Sequence, residues 1–258
     1  MGEAIISRRS GMLKITGQTE ETVRFGGTIN KYDPVCVKFD GTKLSNPATL
    51  PTGNGYGVAF DRTGTYLAVA HYNDPYITIY KRSGDTFTKL SAPSTLPTNH
   101  GQGVAFDPTG TYLAVAHRDN PYITIYKRSG DTFTKLPNPS VLPTNDGNGV
   151  AFDSTGTYLA VAHANDPYIT IYKRNEDTFT KLSAPSGLPT GTGNGVAFDP
   201  TGTYLAVAHN GYPYITIYLA TVCFKTNLMS DVSMAKKAGY AKESGVAGEY
   251  KKIVVIFR

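Results

Sequence analysis

GVAFDPTGTYLAVAHRDNPYITIYKRSGDTFTKLPNPSVLPTNDGN, running from Gly103 to Asn148, is the stretch on which the fold turns. Its opening GVAFD recurs at Gly57, Gly149 and Gly195, so the period is 46 residues and does not drift. The units that begin at Gly57 and Gly103 differ at only nine of 46 positions, which marks a duplicated unit that has scarcely diverged. Within one unit, GVAFD and TYLAVAH are short β-type runs separated by the turn residues Pro108, Thr109 and Gly110. A third run, YITIYKR, follows Pro121, a residue tolerated at the start of a strand and not inside a central one. Ser129, Gly130 and Asp131 then turn the chain into TFTKL, giving four strands per unit. The first two are small and apolar without polar alternation, as in strands packed on both faces. The outer two alternate, with Ile123 and Ile125 opposite Thr124 and Tyr126.

Four antiparallel strands in every 40 to 50 residues predict an all-β fold, a β-propeller, in which each four-stranded blade buries its faces against its neighbours. A solenoid would repeat at about 20 to 30 residues. The GVAFDPTGTYLAVAH segments resemble the hairpins of WD-repeat-like propellers of bacteria and phages. The Trp-Asp pair of that family is absent, and Ile-Tyr-Lys stands at the comparable strand. The resemblance therefore implies the propeller and not the specific partners of WD repeats. Residues 35–52, VCVKFDGTKLSNPATLPT, match the second half of a unit, which predicts a third-and-fourth strand pair ahead of the four full units and five blades in all. The inner strands of that blade are expected from GMLKITG (residues 11–17) and TVRFGG (22–27), or from the C-terminal segment. A ring left open would expose unpaired edges and apolar faces unless another subunit covered them.

The expected organisation is an arm at residues 1–30, propeller repeats over 31–225, and a basic assembly or ring-closing segment at 226–258. GEAIISRR, near the N-terminus, could pair with the strand-like EYKKIVVIFR at the other end. The MGEAIISRR opening, taken with the GYAKESGVAGEYKKIVVIF ending, resembles the ends of phage and prophage virion or tail-associated proteins of Gram-positive bacteria. That resemblance implies a structural protein located in the virion and assembled in the bacterial cytoplasm. Its terminal segments would contact other virion or tail proteins within a multimeric assembly.

Composition sets limits on the alternatives. Charged residues make up 17% of the chain, below the usual 25% or so, and 27 Gly and 16 Pro go with a turn-rich β protein. No apolar run approaches the 18 to 20 or so residues of a membrane span, and the first residues lack the apolar stretch of a signal peptide. The net charge of +5 is concentrated in residues 219–258, which hold seven Lys or Arg against Asp231, Glu243 and Glu249. A basic tail of this kind does not predict nucleic-acid binding. Cys36 and Cys223 are expected to be buried thiols, not a disulfide or a metal site.

Catalysis requires convergent reactive groups, and none are evident. His71, His117, His163 and His209 occupy one repeat position, at the end of a second strand about 4.8 Å outside the inner strand and on separate blades. They are too far apart to share a zinc at bonds of about 2.0 to 2.1 Å, so a structural hydrogen bond is expected instead. Asp61, Asp107, Asp153 and Asp199 precede a Thr-Gly turn and should accept its backbone N–H groups. The NDP and NDG segments offer fewer oxygens than the 6 to 8 or so that calcium takes. No cofactor, metal or enzymatic activity is predicted.

The distribution of differences among the units is more informative. In an up-and-down blade, the loop after strand two and the link from strand four to the next strand one emerge on the same face. The loops after strand two carry Tyr72, Asn73 and Asp74, then Arg118, Asp119 and Asn120, then Asn165 and Asp166, then Asn210 and Tyr212. The links carry His100 and Gln102, followed by Asn145 and Asp146. Between the first two units, eight of the nine changes fall in these segments or lead into them. Aromatic, amide and charged side chains on adjacent loops have the chemistry of adaptable binding surfaces. The expected function is display of this face for recognition of a host-surface glycan or protein. The alternative from another class is a cellular scaffold that organises protein partners.

Overall fold

The computed structural model describes residues 5–9, 12–16 and 41–220. The chain divides into two compact units, residues 1–44 and 45–258. In the first, β1 (Ile5–Arg9) pairs antiparallel with β2 (Met12–Thr16), with Ile5 opposite Thr16 and Arg9 opposite Met12. The N-terminal segment is thus paired with its sequence neighbour, and the pairing with EYKKIVVIFR that the sequence suggested lies outside the described residues. Closing so short a loop costs little entropy. Residues 22–27, the segment 226–258, Cys36 and Cys223 lie outside the described residues.

The second unit is built from repeated antiparallel sheets. The first blade comprises β3 (Gly55–Phe60), β4 (Tyr66–His71), β5 (Ile77–Ser83) and β6 (Thr86–Lys89), paired in that order. The second comprises β7 (Gly101–Phe106), β8 (Tyr112–His117), β9 (Ile123–Ser129) and β10 (Thr132–Lys135). The third comprises β11 (Gly147–Phe152), β12 (Tyr158–His163), β13 (Ile169–Asn175) and β14 (Thr178–Lys181). Among the described residues the fourth blade has three strands, β15 (Gly193–Phe198), β16 (Tyr204–His209) and β17 (Ile215–Leu219).

Local chemistry sets each hairpin. The Asp107 carboxylate accepts the Tyr112 N–H at 2.7 Å on Oδ1 and the Thr109 hydroxyl at 2.6 Å on Oδ2. It thereby spans the turn in which Gly110 has φ 68°, a conformation open to glycine. Asp61, Asp153 and Asp199 repeat this arrangement, which is the turn role expected of the four aspartates. The turn after the second strand is less usual. Tyr76, Tyr122, Tyr168 and Tyr214 hold φ between 62° and 71°, a region that bulky residues seldom occupy. In each case the strand before the turn stabilises it, since the N–H of His71, His117, His163 or His209 donates to the carbonyl of that tyrosine.

The core lies between the blades. Ile77 and Ile79 of the first blade pack against Val104, Leu113 and Val115 of the second. Ile123 and Ile125 meet Val150, Leu159 and Val161 in the next layer, and Ile169 meets Leu205 and Val207 in the last. The inner strands stand side by side in the order β3, β7, β11, β15. Phe60, Phe106, Phe152 and Phe198, at their ends, line a single cavity of about 620 Å³. Four sheets with successive inner strands around a common cavity form the β-propeller repeat that the 46-residue period predicts.

The half-unit match ahead of the first blade holds only in part. Tyr126 and Tyr172 donate their hydroxyls to the carbonyls of Thr95 and Val141 in the links between blades, and Tyr80 donates to Thr49 in the same way at 2.9 Å. Residues near Thr49 therefore occupy the position of an interblade link. Residues 41–47 form no strand, however, so the fourth strand expected at 42–44 is absent. Residues 35–40 lie outside the described residues, and the fifth blade is not seen in the described part of the chain.

Candidate functional site

The loops of the two ends of the blades differ in kind. At one end, the Thr-Gly turns and the Lys-Arg segments tie adjacent blades together. Lys81 reaches Asp131 of the second blade at 2.8 Å, and Lys127 reaches Asp177 of the third at 2.7 Å. Lys81 and Lys127 are raised above the ordinary lysine value, first by the hydrogen bond to the aspartate. The Tyr66 and Tyr112 hydroxyls donate to the same carboxylates at 2.6 Å. Arg128 and Arg174 lie over the rings of Tyr66 and Tyr112 at 4.5 Å from the centroid. In the structure the pairing reaches across the blade junction, about one repeat away.

The opposite end carries the variable loops. Each loop after a second strand meets the link that enters the next blade. Gly101, Gly147 and Gly193 are required there, because the carbonyl oxygens of Tyr76, Tyr122 and Tyr168 approach where a Cβ would stand. At the first junction the Tyr72 ring stacks on His100, with centroids 3.7 Å apart and planes 30° from parallel. The same position at the second junction is held by Arg118, whose Nε lies 3.9 Å from Asp146. At the third, the Thr192 hydroxyl donates to the carbonyl of Ala164 at 3.1 Å. The variable positions thus occur as matched pairs, an aromatic stack, an ion pair and a hydroxyl-to-carbonyl bond. This matching was not legible in a single unit, because the partners belong to successive units. Aligning each loop with the following link would have revealed it.

The other candidates are distributed around the same end. Asn73 donates to the Thr52 carbonyl at 2.9 Å, while the Thr52 hydroxyl reaches the carbonyl of Asp74. Asn99 donates to the Asp119 carboxylate at 2.6 Å, and the Asp119 N–H donates to Asp146 at 3.3 Å. The Asn145 side chain caps the N–H of Asp146 at 2.6 Å, and Thr144 donates to the carbonyls of Asn165 and Asp166. Asn120 and Asn210 are exposed. Tyr212 is the most open aromatic of the face at 81% exposure, and its ring meets that of Tyr214 edge to face. Gln102 falls inside β7 and not in the link, since the inner strand begins two residues before GVAFD, with a bulge between Gly101 and Gly103.

The four equivalent histidines are structural, as their spacing predicted. Each Nε2 lies 2.9 to 3.0 Å from a threonine hydroxyl, those of Thr78, Thr124, Thr170 and Thr216. Burial lowers the pKa of His71 and His117 and brings that of His163 down to about 4. The imidazoles of His71, His117 and His163 are therefore neutral at physiological pH. The cavity beneath the inner strands is lined by Arg62, Asp107, Asp153 and Asp199 together with the four phenylalanines. Both carboxylate oxygens of these aspartates already accept hydrogen bonds from their own turns. Among the described residues, no three His, Cys, Asp or Glu side chains converge as metal ligands would.

No family model matches this chain, and no curated protein does. Solved structures resemble it in fold. A protein from Bacteroides uniformis, provisionally named a 6-phosphogluconolactonase, superposes with a TM-score of 0.56 at 15% identity, over 69% of this chain and 56% of its own. The hydrazine synthase of Kuenenia stuttgartiensis gives 0.52 at 13% identity, over 70% and 49%. The β-propeller domain of Cps50 (Swd1) from Myceliophteria thermophila gives 0.46 at 14%, over 65% and 54%. The chain spans about half the length of the solved structures it matches. The first two carry names of different activities, so at these identities the likeness extends to the fold alone.

Proposed function

We propose that this chain is a non-catalytic recognition propeller of a phage or prophage particle, tail-, fibre- or capsid-associated, whose variable loop face binds a host-surface glycan or protein. The observation that supports this reading is the concentration of the differences between units at one end of the blades, where the largest of the differing side chains remain exposed. Tyr72 is 43% exposed and Tyr212 81%, and Arg118 keeps half of its side chain open while paired. Stacking rings and a guanidinium suit glycans and proteins alike. The terminal segments would anchor the chain among other virion or tail proteins, in keeping with the resemblance of the two chain ends.

The test is a triple substitution, Tyr72→Ala with Arg118→Ala and Tyr212→Ala, assayed for adsorption to host cells or envelopes. Contact residues of this kind cost about 1 to 2 kcal/mol or more each when truncated, so adsorption should fall by at least tenfold. Folding should lose about 1 kcal/mol, chiefly the stack of Tyr72 on His100. Unchanged adsorption by a folded variant would end the recognition reading. Antibody labelling of purified particles separates it from a cellular scaffold, since a scaffold would label the cytoplasm and leave virions bare.

A second reading, a propeller enzyme acting on a lactone, is suggested by the cavity between the inner strand ends and by the name of the Bacteroides uniformis protein. The engagement of Asp107, Asp153 and Asp199 by their own turns argues against it. Hydrolysis of 6-phosphogluconolactone, followed by acid release with and without divalent cations, is expected to run at the uncatalysed rate. A turnover abolished by Asp153→Asn in a folded variant would establish the enzyme instead.

A further inference from the structure

The three layers between blades are near copies of one interface, and the described chain ends on both of its halves. On the leading surface of the first blade, Val58 is 67% exposed, whereas the equivalent Val104 and Val150 are 8% exposed. On the trailing surface of the fourth blade, Ile215 and Ile217 are 50% and 62% exposed, whereas Ile123 and Ile125 are at 0% and 3%. These open surfaces have the same residues as the halves that meet inside the chain. β16 and β17 present the Tyr-x-Ala-x-Ala and Ile-x-Ile rows of β4 and β5, and β3 and β4 repeat the valine and leucine positions of β7 and β8.

We propose that a second copy of this chain docks head to tail, its first blade against the fourth blade of its neighbour, reproducing the internal interblade interface between chains. Chemistry at the rim follows the same pattern. Inside the chain, the Tyr66 hydroxyl donates to Asp131 at 2.6 Å and lies beneath Arg128. Tyr204, 50% exposed, is the fourth-blade counterpart of Tyr66, and Asp85 and Arg82 of the first blade are the counterparts of Asp131 and Arg128. Docking brings Asp85 and Arg82 of one copy to Tyr204 of the other. Leu219 stands where Lys81 and Lys127 make their exposed ion pairs, so at this rim apolar area replaces a pair of small energetic worth.

Approach is open as well as complementary. The carbonyl of Tyr76 crowds Gly101, while among the described residues the corresponding Gly55 has only a Val69 methyl within 4 Å. Gly149 abuts Gly195 at the inner strands, while the free side of Gly195 meets nothing within 4 Å among the described residues. A contact of unlike surfaces builds a ring when its rotation closes and a filament otherwise. Two copies making both junctions close a ring of eight sheets, within the four to eight or so blades that propellers use.

The full chain is to be weighed in solution by light scattering behind size exclusion, across a wide concentration range. The expected species has twice the chain mass of 27.8 kDa. Val58→Asp and Ile217→Asp should each run as single chains, because either change spoils both junctions of a two-copy ring. An equimolar mixture should recover the two-chain species, since it joins the intact trailing face of the first variant to the intact leading face of the second. Wild-type chain at single mass throughout would overturn the proposal and mean that the chain covers these faces with its own residues. A two-chain wild type that both variants preserve, or folded variants that fail to complement, would overturn it equally.

Discussion

Leu159→Ala should lower the free energy of unfolding by about 2 to 5 kcal/mol, and Leu67→Ala by less, although both change the same residue of the same repeat. Leu159 is fully buried in the layer between the second and third blades, among Ile123, Ile125 and Val161. Its truncation leaves a cavity that neighbours on two blades cannot fill. Leu67 occupies the equivalent place on the open leading surface of the first blade and is half-buried, so the methyl groups removed were already partly in water. Urea denaturation, at a dilution where the chain is alone, measures the difference. Equal losses would show that the first blade is covered as the others are, contrary to the exposed Val58 and Phe60.

Acid should destabilise the fold well before its carboxylates are protonated. An imidazole in the unfolded chain binds its proton near pH 6.5, whereas burial lowers the pKa of His163 to about 4. Between these values the unfolded state holds the extra proton, so stability is full above pH 6.5 and declines as the pH falls towards 4. His163 accounts for about 3 kcal/mol of that decline, and His71 and His117, lowered in the same direction by burial, add to it. His163→Gln keeps a partner for the Thr170 hydroxyl without titrating. It should therefore flatten the dependence of unfolding free energy on pH in this window. A slope identical to that of the wild-type chain would show that His163 takes up its proton in the folded state.

Much of the architecture is local and repeated, and so it can be read from one unit. Strand length, the Asp-to-turn bonds at Asp107 and its equivalents, and the histidine-to-threonine bonds all involve residues within seven positions of one another. Alternation and turn chemistry specify contacts at that range. The same reasoning places the loops after strand two and the interblade links at one end of the sheets, because antiparallel strands return the chain to alternate ends. The candidate residues from Tyr72 to Tyr212 are found at that end, apart from Gln102, which the bulge draws into β7.

Contacts between units follow a different rule. Lys81 finds Asp131 and not Asp85, and Tyr72 finds His100, because the blades stack face to face and each offers one side to its successor. Nothing within a unit distinguishes Asp85 from Asp131, since both follow the same Ser-Gly. Likewise Val58 and Val104 lie in identical GVAFD strings, yet one is exposed and the other buried. Periodicity specifies which face of a strand is apolar, and that much was written in the residues. Whether such a face is covered depends on what stands beside it, and hydrophobic burial is a property of the pair of surfaces, not of either string of residues.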